Sequence, residues 1–263
     1  MSDSIIPVPS IDLLVRMTHL LDFKDKVLKI LGSSAKIQAS LGSPSEKELR
    51  SFASQLSAAR RWMKFGKIFR ASPSLLDPLS GVTFSKSASF EQVFRMFVSK
   101  SEFMSDIIQM IAEDVNTLHR SKYWVAGLGL KPVKNIDVIE DRAWWVWSVF
   151  ATVSSWIETR ELQHKLRGAR LRLAALNPET VPGEIASMKK EVALLKVKYY
   201  LSLFKLIKFG CELMDSSIAL TPDRIKAAVS PRGFEIVSCF LGSVSALSSL
   251  HKLLYSESKS IAA

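Results

Sequence analysis

Cations and aromatic side chains alternate between Ser57 and Arg70, and this stretch carries the most informative chemistry of the sequence. At about 100° per residue along an α-helix, its five cations collect on one side and most of its aromatic rings on the other. Guanidinium and ammonium groups bind phosphate through charge-assisted hydrogen bonds, and aromatic rings favour the boundary between water and lipid. The predicted chemistry is binding to a phosphate-bearing surface. The candidate lipid-binding residues are Arg60, Arg61, Lys64, Lys67, Arg70, Trp62, Phe65 and Phe69.

Three surfaces suit such a helix: an anionic lipid bilayer, a nucleic acid, or the core of the protein itself. A surface helix with a solvated basic face and a buried apolar face is the commonest arrangement in globular proteins. The chain has 36 Lys and Arg against 25 Asp and Glu, a net charge of +11, and 48% hydrophobic residues, with a mean hydropathy of +0.15. A nucleic-acid partner explains the charge but not the hydropathy, whereas an anionic membrane explains both. We therefore expect a membrane partner and no nucleic acid.

No group of residues in the sequence has the spacing that catalysis needs. Glu113 and Asp114 are adjacent and so stand on different faces of a helix, where they cannot act as a paired acid and base. The segment GLGLKP at 127–132 lacks the third glycine of a dinucleotide-binding loop. The four histidines lie far apart in the chain: His19, His119, His164 and His251. We expect a protein that is not an enzyme and holds no metal and no cofactor.

Hydrophobic periodicity predicts helices along nearly the whole chain. The pattern starts at Ser10, restarts at Ser45 and runs turn-free to Arg70, and it continues from Ser89 to His119. We predict an all-α, membrane-associated bundle of long amphipathic helices with one or two short hydrophobic membrane segments. Three regions are expected: residues 1–82 as an amphipathic-helix region on the cytosolic face, 83–175 as central helices with a Trp-rich apolar segment, and 176–263 as C-terminal helices with a terminal membrane segment.

Two uncharged runs, Ala143–Ile157 and Ile236–Leu250, are the candidate membrane segments. Each is shorter than the roughly 20 residues that cross a bilayer, so each could span, re-enter or lie at the interface. The four tryptophans of the first uncharged run suit packing in a protein core and an aromatic belt at the membrane interface equally well. The second run is rich in small residues that let membrane helices approach closely. It predicts homo-oligomerisation through Gly233, Gly242, Ser245 and Ala246.

The two cysteines and the N-terminus bear on the compartment. Cys211 and Cys239 lie far apart in apolar surroundings, which favours buried thiols in a reducing compartment. The opening residues MSDSIIPVPS lack the charged and apolar regions of a secretory signal. We expect the protein to stay on the cytosolic side.

The order of segments resembles the peroxin eleven family, peroxisomal membrane proteins that elongate the membrane before peroxisome division. The stretch FKDKVLKILGSSAKIQ, residues 23–38, is similar to the opening basic helix of that family. LSAARRWMKFGKIFR resembles its membrane-bending helix, including Lys64-Phe65-Gly66-Lys67. Further along, EDVNTLHRSKYWVAGLGL, DRAWWVWSVFATVSSWIETRELQ, LIKFGCELMDSSIAL and FLGSVSALSSLHKLL follow in the order of that family. The resemblance covers about residues 11–254 and departs from the family pattern at Lys24 and in the spacing of Cys211 and Asp215.

The resemblance implies a protein of the peroxisomal membrane that binds anionic phospholipid, bends and elongates the membrane, and promotes peroxisome division and proliferation. Fission machinery recruited from the cytosol is implied as a partner. The same family resemblance allows an alternative, an oligomeric solute pore of the peroxisomal membrane. A pore is disfavoured because no single helix of the sequence shows a continuous polar stripe on a spanning apolar background. The remaining alternative is a soluble basic helical module that binds nucleic acid.

Overall fold

The computed structural model describes residues 20–66, 90–120, 135–176 and 182–262. Within these ranges the chain is all-α, with seven helices and no strand, as the sequence predicted. The helices are α1 (Leu21–Ser40), α2 (Glu46–Lys64), α3 (Phe90–Arg120), α4 (Ile136–Ala175), α5 (Pro182–Leu220), α6 (Asp223–Val229) and α7 (Pro231–Ala262).

Six of these helices form a ring. Neighbours pack in the order α2, α1, α7, α5, α4 and α3, and a smaller contact between α3 and α2 closes the circle. The short helix α6 links α5 to α7. The ring mixes the three sequence regions, because α1 from the first region packs against α7 from the last.

The helices α4 and α5 form an antiparallel hairpin that is longer than its neighbours. They contain 40 and 39 residues, which at about 1.5 Å per residue gives each a length of roughly 60 Å. The helix α3 begins just before Arg95, whose guanidinium binds Glu161 of α4 at 2.6 Å. The later turns of α4 therefore extend past the described part of α3, and Arg172 there pairs with Glu191 of α5 at 3.5 Å.

The structure corrects the predicted extent of the basic helix. The sequence predicted a turn-free helix to Arg70, but α2 ends at Lys64. Gly66 has a φ of +74°, a left-handed conformation that glycine adopts without steric cost and that commonly ends a helix. The Gly66 N–H donates to Asp114 Oδ1 of α3 at 3.2 Å, which ties this end into the ring. The predicted site residues Lys67, Phe69 and Arg70 lie outside the described residues.

Small and polar side chains occupy the fully buried positions of the described residues, while many large apolar side chains face outward. The largest side chains that are fully buried are Asn116, Ser148, Ser155, Ser216 and Ser245. On the outside, Phe90 is 85% exposed and Phe240 is 61% exposed. Soluble proteins bury such aromatic side chains and expose polar ones, so a large exposed apolar surface marks contact with a membrane or another protein.

The helix α7 is the one candidate membrane span among the described residues. Its stretch Pro231–Ser256 is long and apolar enough to cross a bilayer, and only 33% of its apolar part is buried in the bundle. A core helix of a soluble protein would be mostly buried. The Trp-rich run of α4 belongs instead to a 40-residue helix that continues into charged turns.

Candidate functional site: a charged cavity and two outward surfaces

A cavity of about 690 Å³ lies inside the ring and is lined by charged side chains from α1 to α5. It holds seven cations and seven carboxylates, so its lining is close to neutral. The cations are Lys26, Lys29, Lys36, Arg60, Arg61, Lys64 and Lys208, and the carboxylates are Asp22, Asp25, Asp106, Glu113, Glu140, Glu212 and Asp215.

The described cations of the predicted lipid-binding site line this cavity. Arg60 Nε donates to Asp25 Oδ1 at 2.9 Å, and Lys64 Nζ donates to Glu113 Oε1 at 3.1 Å. Arg61 lines the same space. The sequence analysis expected these cations to face lipid phosphate, but carboxylates of α1 and α3 meet them inside the ring. The sequence of a single helix indicates a basic and an apolar face, but it does not indicate which face packs against the neighbouring helices.

The aromatic face of α2 points outward. Trp62 is 46% exposed, and its ring lies 5.5 Å from that of Phe65. Phe52, which the sequence analysis did not single out, is also 46% exposed. Phe52, Ala59 and Trp62 recur at spacings of seven and three residues, which places them along one stripe of the helix. That spacing was the available signal for Phe52.

Asp25 is the centre of the ion-pair cluster between α1 and α2. Burial acts to raise the pKa of this carboxyl group, but the neighbouring charges outweigh burial and hold the pKa at about 2. These neighbours are Lys64, Lys26 and Arg60. For Lys64, burial acts to lower the pKa, and the carboxylates of Glu113 and Asp25 outweigh it, so that the pKa is raised. Both shifts favour the charged pair.

A second charged cluster joins α1, α5 and α7. Burial lowers the pKa of Lys29 to about 8, against the attraction of Glu212 and Asp215. Glu212 Oε1 accepts from Ser245 Oγ of α7 at 2.7 Å, and Ser238 of α7 donates to Asp215. Hydroxyl groups of α7 therefore donate one hydrogen bond to each of these carboxylates of α5, while Glu212 Oε2 is buried without a hydrogen-bond partner among the described residues.

The predicted oligomerisation residues lie mostly within this packing. Ser245 is 1% exposed and Ala246 is 0% exposed. A Cβ atom added to Gly242 would lie 3.2 Å from Lys29 Cε. Gly233 is in the first turn of α7, where its N–H donates to Ser230 Oγ at 3.0 Å. Their role in self-association stays a prediction, since three of the four already pack α7 into its own bundle.

The outward stripe of α7 consists of larger apolar residues. Val237, Phe240 and Leu247 are all exposed, at spacings of three and seven residues. This side of the helix contacts nothing in the described part of the chain that would bury it.

The tryptophans of α4 divide between the cavity lining and the outer surface, and the interfacial belt stays a prediction. Trp144 and Trp147 line the cavity, whereas Trp145 and Trp156 are exposed.

The two cysteines are free thiols, of which Cys239 is buried and Cys211 is half-buried. Within the described ranges, no group of three or more His, Cys, Asp and Glu side chains could hold a metal ion.

A second concave site lies between α4 and α5, away from the charged cavity. This hairpin groove has a volume of about 500 Å³ and was not predicted from the sequence. The groove residues are Gln163, Leu166, Arg167, Arg170, Leu171, Lys196, Tyr199 and Tyr200. The spacing of Leu166, Arg167, Arg170 and Leu171 on one side of α4 was the available signal.

Comparison of the chain with protein-family models, with curated proteins and with solved structures finds no match.

Proposed function

We propose that this protein is a peroxisomal membrane protein that binds anionic lipid, bends and elongates the membrane, and promotes peroxisome division. The observation that carries the proposal is the arrangement of the ring. The helices α2 and α7 expose apolar side chains on the outside, and the charged side chains of α1 to α5 line the cavity inside. The resemblance of residues 23–38 and 56–70 to the peroxin eleven family supports the choice of organelle. By analogy with that family, we propose that the protein forms homo-oligomers and recruits fission machinery.

The mechanism rests on a wedge of aromatic side chains. An amphipathic helix that enters a bilayer to a depth of about 5–10 Å widens one leaflet, and many copies together bend the membrane. Phe52 and Trp62 form this wedge, and α7 supplies the membrane span. The ion pairs of Arg60 with Asp25 and of Lys64 with Glu113 hold α2 so that its aromatic face stays outward. Lys67 and Arg70 follow α2 in the chain and are the predicted contacts to lipid phosphate.

Vesicle tubulation tests this wedge. The full chain is reconstituted into vesicles of neutral or anionic lipid and examined by electron microscopy, alongside the variant Phe52→Ala/Trp62→Ala and the triple variant Trp62→Ala/Phe65→Ala/Phe69→Ala. We expect the wild type to draw anionic vesicles into tubules and both variants to lose this activity. Leu41→Ala is the matched control, because Leu41 is 72% exposed in the turn after α1 and lies off the wedge. An unchanged number of tubules in both wedge variants would contradict the mechanism.

The charged cavity favours a second candidate function, a pathway for polar solutes across the same membrane. The sequence analysis disfavoured a pore because no single helix carried a continuous polar stripe. In the ring, five helices each contribute charged side chains to one shared cavity, which supports this alternative.

Conductance across planar bilayers tests the pathway. Ser57 lines the cavity, so Ser57→Trp is expected to reduce the conductance of the purified protein by filling that space. Ser54→Trp adds the same bulk on the exposed face of α2 and serves as the control. A wild-type protein that conducts no ions across the bilayer rules this candidate out. Equal conductance in both variants would show that the pathway does not run through the charged cavity.

A further inference from the structure

We propose that the hairpin groove between α4 and α5 binds the phosphate of an anionic membrane lipid. This inference rests on the proposed membrane function and adds a second lipid contact, far along the chain from the basic stretch at 57–70. The groove combines a cationic rim with an apolar floor, and each part contributes to the argument.

The rim consists of Arg167, Arg170 and Lys196, all of which are exposed. In the described part of the chain, none of the three forms an ion pair. Two other cations of the same hairpin are paired: Lys165 binds Glu161 at 2.6 Å, and Arg172 binds Glu191 at 3.5 Å. The groove lining contains no carboxylate, so its three positive charges are available to an external anion.

Phosphate fits this rim better than an isolated carboxylate or a neutral ligand. A guanidinium group presents paired N–H donors that bind two phosphate oxygens at once. Arg167 and Arg170 are three residues apart on one helix, which brings their side chains to the same face. Lys196 approaches from the facing helix and adds a third charge.

The floor favours a lipid over a free phosphate ion. Leu166 is buried, and the half-buried rings of Tyr199 and Tyr200 lie 5.8 Å apart beside it. A free phosphate ion would use the rim and leave this apolar surface exposed to water. An anionic lipid covers the floor with its glycerol and acyl carbons while its phosphate remains on the rim. Tyrosine is also typical of the boundary between headgroups and acyl chains.

Two exposed apolar side chains lie on the part of α4 that carries the groove and on the turns before it. Leu171 at its edge is 63% exposed, and Trp156 lies on an outer face of α4 with the Arg160 guanidinium 5.2 Å above its ring. Tryptophan and long cationic side chains both favour membrane interfaces, where their apolar parts are covered and their polar ends stay in water. The groove therefore opens onto a surface that also suits a membrane.

Photocrosslinking of the full chain in vesicles tests the inference. The vesicles contain phosphatidylcholine with or without phosphatidic acid, and a trace of phosphatidic acid bears a photoactivatable group. The labelled peptides are identified by mass spectrometry. The test variant is Arg167→Gln/Arg170→Gln/Lys196→Gln, and its matched control is Lys189→Gln/Lys190→Gln/Lys198→Gln, which removes the same charge from exposed positions of the hairpin outside the groove.

We expect labelling of groove peptides in the wild type and a loss of at least about tenfold in the test variant, because that variant removes all three groove cations that would bind the lipid phosphate directly. The control should retain most of the labelling. Equal labelling in both variants would overturn the inference, as would full displacement of the probe by inorganic phosphate or by a single-stranded oligonucleotide.

Tubulation is scored on the same vesicles. A wild type that tubulates without groove labelling refutes the second lipid contact alone, whereas a wild type that neither inserts nor tubulates refutes the membrane function.

Discussion

The charged cavity and the hairpin groove use the same kinds of side chain for different purposes. In the cavity, Arg60 and Lys64 each have a carboxylate partner at 2.9 and 3.1 Å. In the groove, Arg167 and Arg170 form no ion pair with any described residue. The difference shows that a cation is available to an external anion only where the fold leaves it without an internal carboxylate.

This comparison changes how the net charge of +11 is interpreted. The seven cations of the cavity face seven carboxylates and contribute little to the field outside the protein. The charge excess must therefore lie on other parts of the chain, of which the α4–α5 hairpin is one. A membrane surface would meet that excess at the hairpin rather than on the inward side of α2.

The largest effect is expected from Asp25→Ala, which would break the cavity cluster. This change leaves Arg60 and Lys64 partly buried with one carboxylate fewer, and breaking a buried ion pair costs about 3–5 kcal/mol. We expect a loss of stability near the lower end of that range, measured by thermal unfolding of the detergent-solubilised protein with far-UV circular dichroism. Glu48→Ala on α2 is the control, because Glu48 is exposed and does not line the cavity. If the two variants unfold alike, Asp25 does not hold α1 and α2 together.

A smaller effect is expected from acid. The pKa of Asp25 in the folded protein is about 2, below the value of about 3.9 in an unfolded chain, so its ionised form stabilises the fold above pH 4. As the pH falls from about 4 to 2, the unfolded chain takes up this proton first and the stabilisation is lost. A shift of this size corresponds to about 2–3 kcal/mol. The stability gap between wild type and Asp25→Ala should therefore narrow over that pH range, and a gap that stays constant would contradict the assignment.

The smallest effect on stability is expected from Gly242→Leu in α7. An added Cβ would meet Lys29 Cε at 3.2 Å, which is the flexible end of a side chain, but the rest of the leucine must also fit between α7 and α1. Overpacking of this kind costs about 1–3 kcal/mol. Val237→Leu on the outward stripe should be neutral.

Crosslinking of the same two variants separates the roles of the small residues of α7. Lower stability with unchanged intermolecular crosslinks in Gly242→Leu indicates that these residues pack the bundle. Unchanged stability with lost crosslinks indicates instead that they form the predicted contact between copies of the chain.

Hydrophobic periodicity predicted the all-α class and the long helices of this fold, but it missed the short helix α6 and the end of α2. The predicted helix from Ser89 to His119 is observed as Phe90–Arg120, and the all-α class follows from the same pattern. The end of α2 could also have been predicted, because a glycine just after a lysine in the last turn is a typical stop signal, and Gly66 follows Lys64 in this way.

The orientation of α2 could not be predicted from its own residues. Its basic and aromatic faces are visible in the sequence, but the side chains that decide which face is inward are Asp25 on α1 and Glu113 on α3. Those partners come from elsewhere in the chain and meet α2 only in the ring. The hairpin groove was missed for the same reason, since its rim combines Arg167 and Arg170 of α4 with Lys196 of α5.

The inward position of the charges and the outward position of the apolar face of α2 can be measured directly with spin labels. Cysteines are introduced singly at Ala59, which faces outward, and at Ser57, which lines the cavity, in a chain that carries Cys211→Ser and Cys239→Ser. Each labelled protein is reconstituted in anionic vesicles, and the relaxation of the label by oxygen, which concentrates in lipid, is compared with relaxation by a water-soluble nickel chelate. We expect oxygen to dominate the relaxation of the label at position 59 and the nickel chelate to dominate it at position 57. Dominant nickel relaxation at position 59, with position 57 shielded from it, would contradict the proposed arrangement of the helix in the membrane.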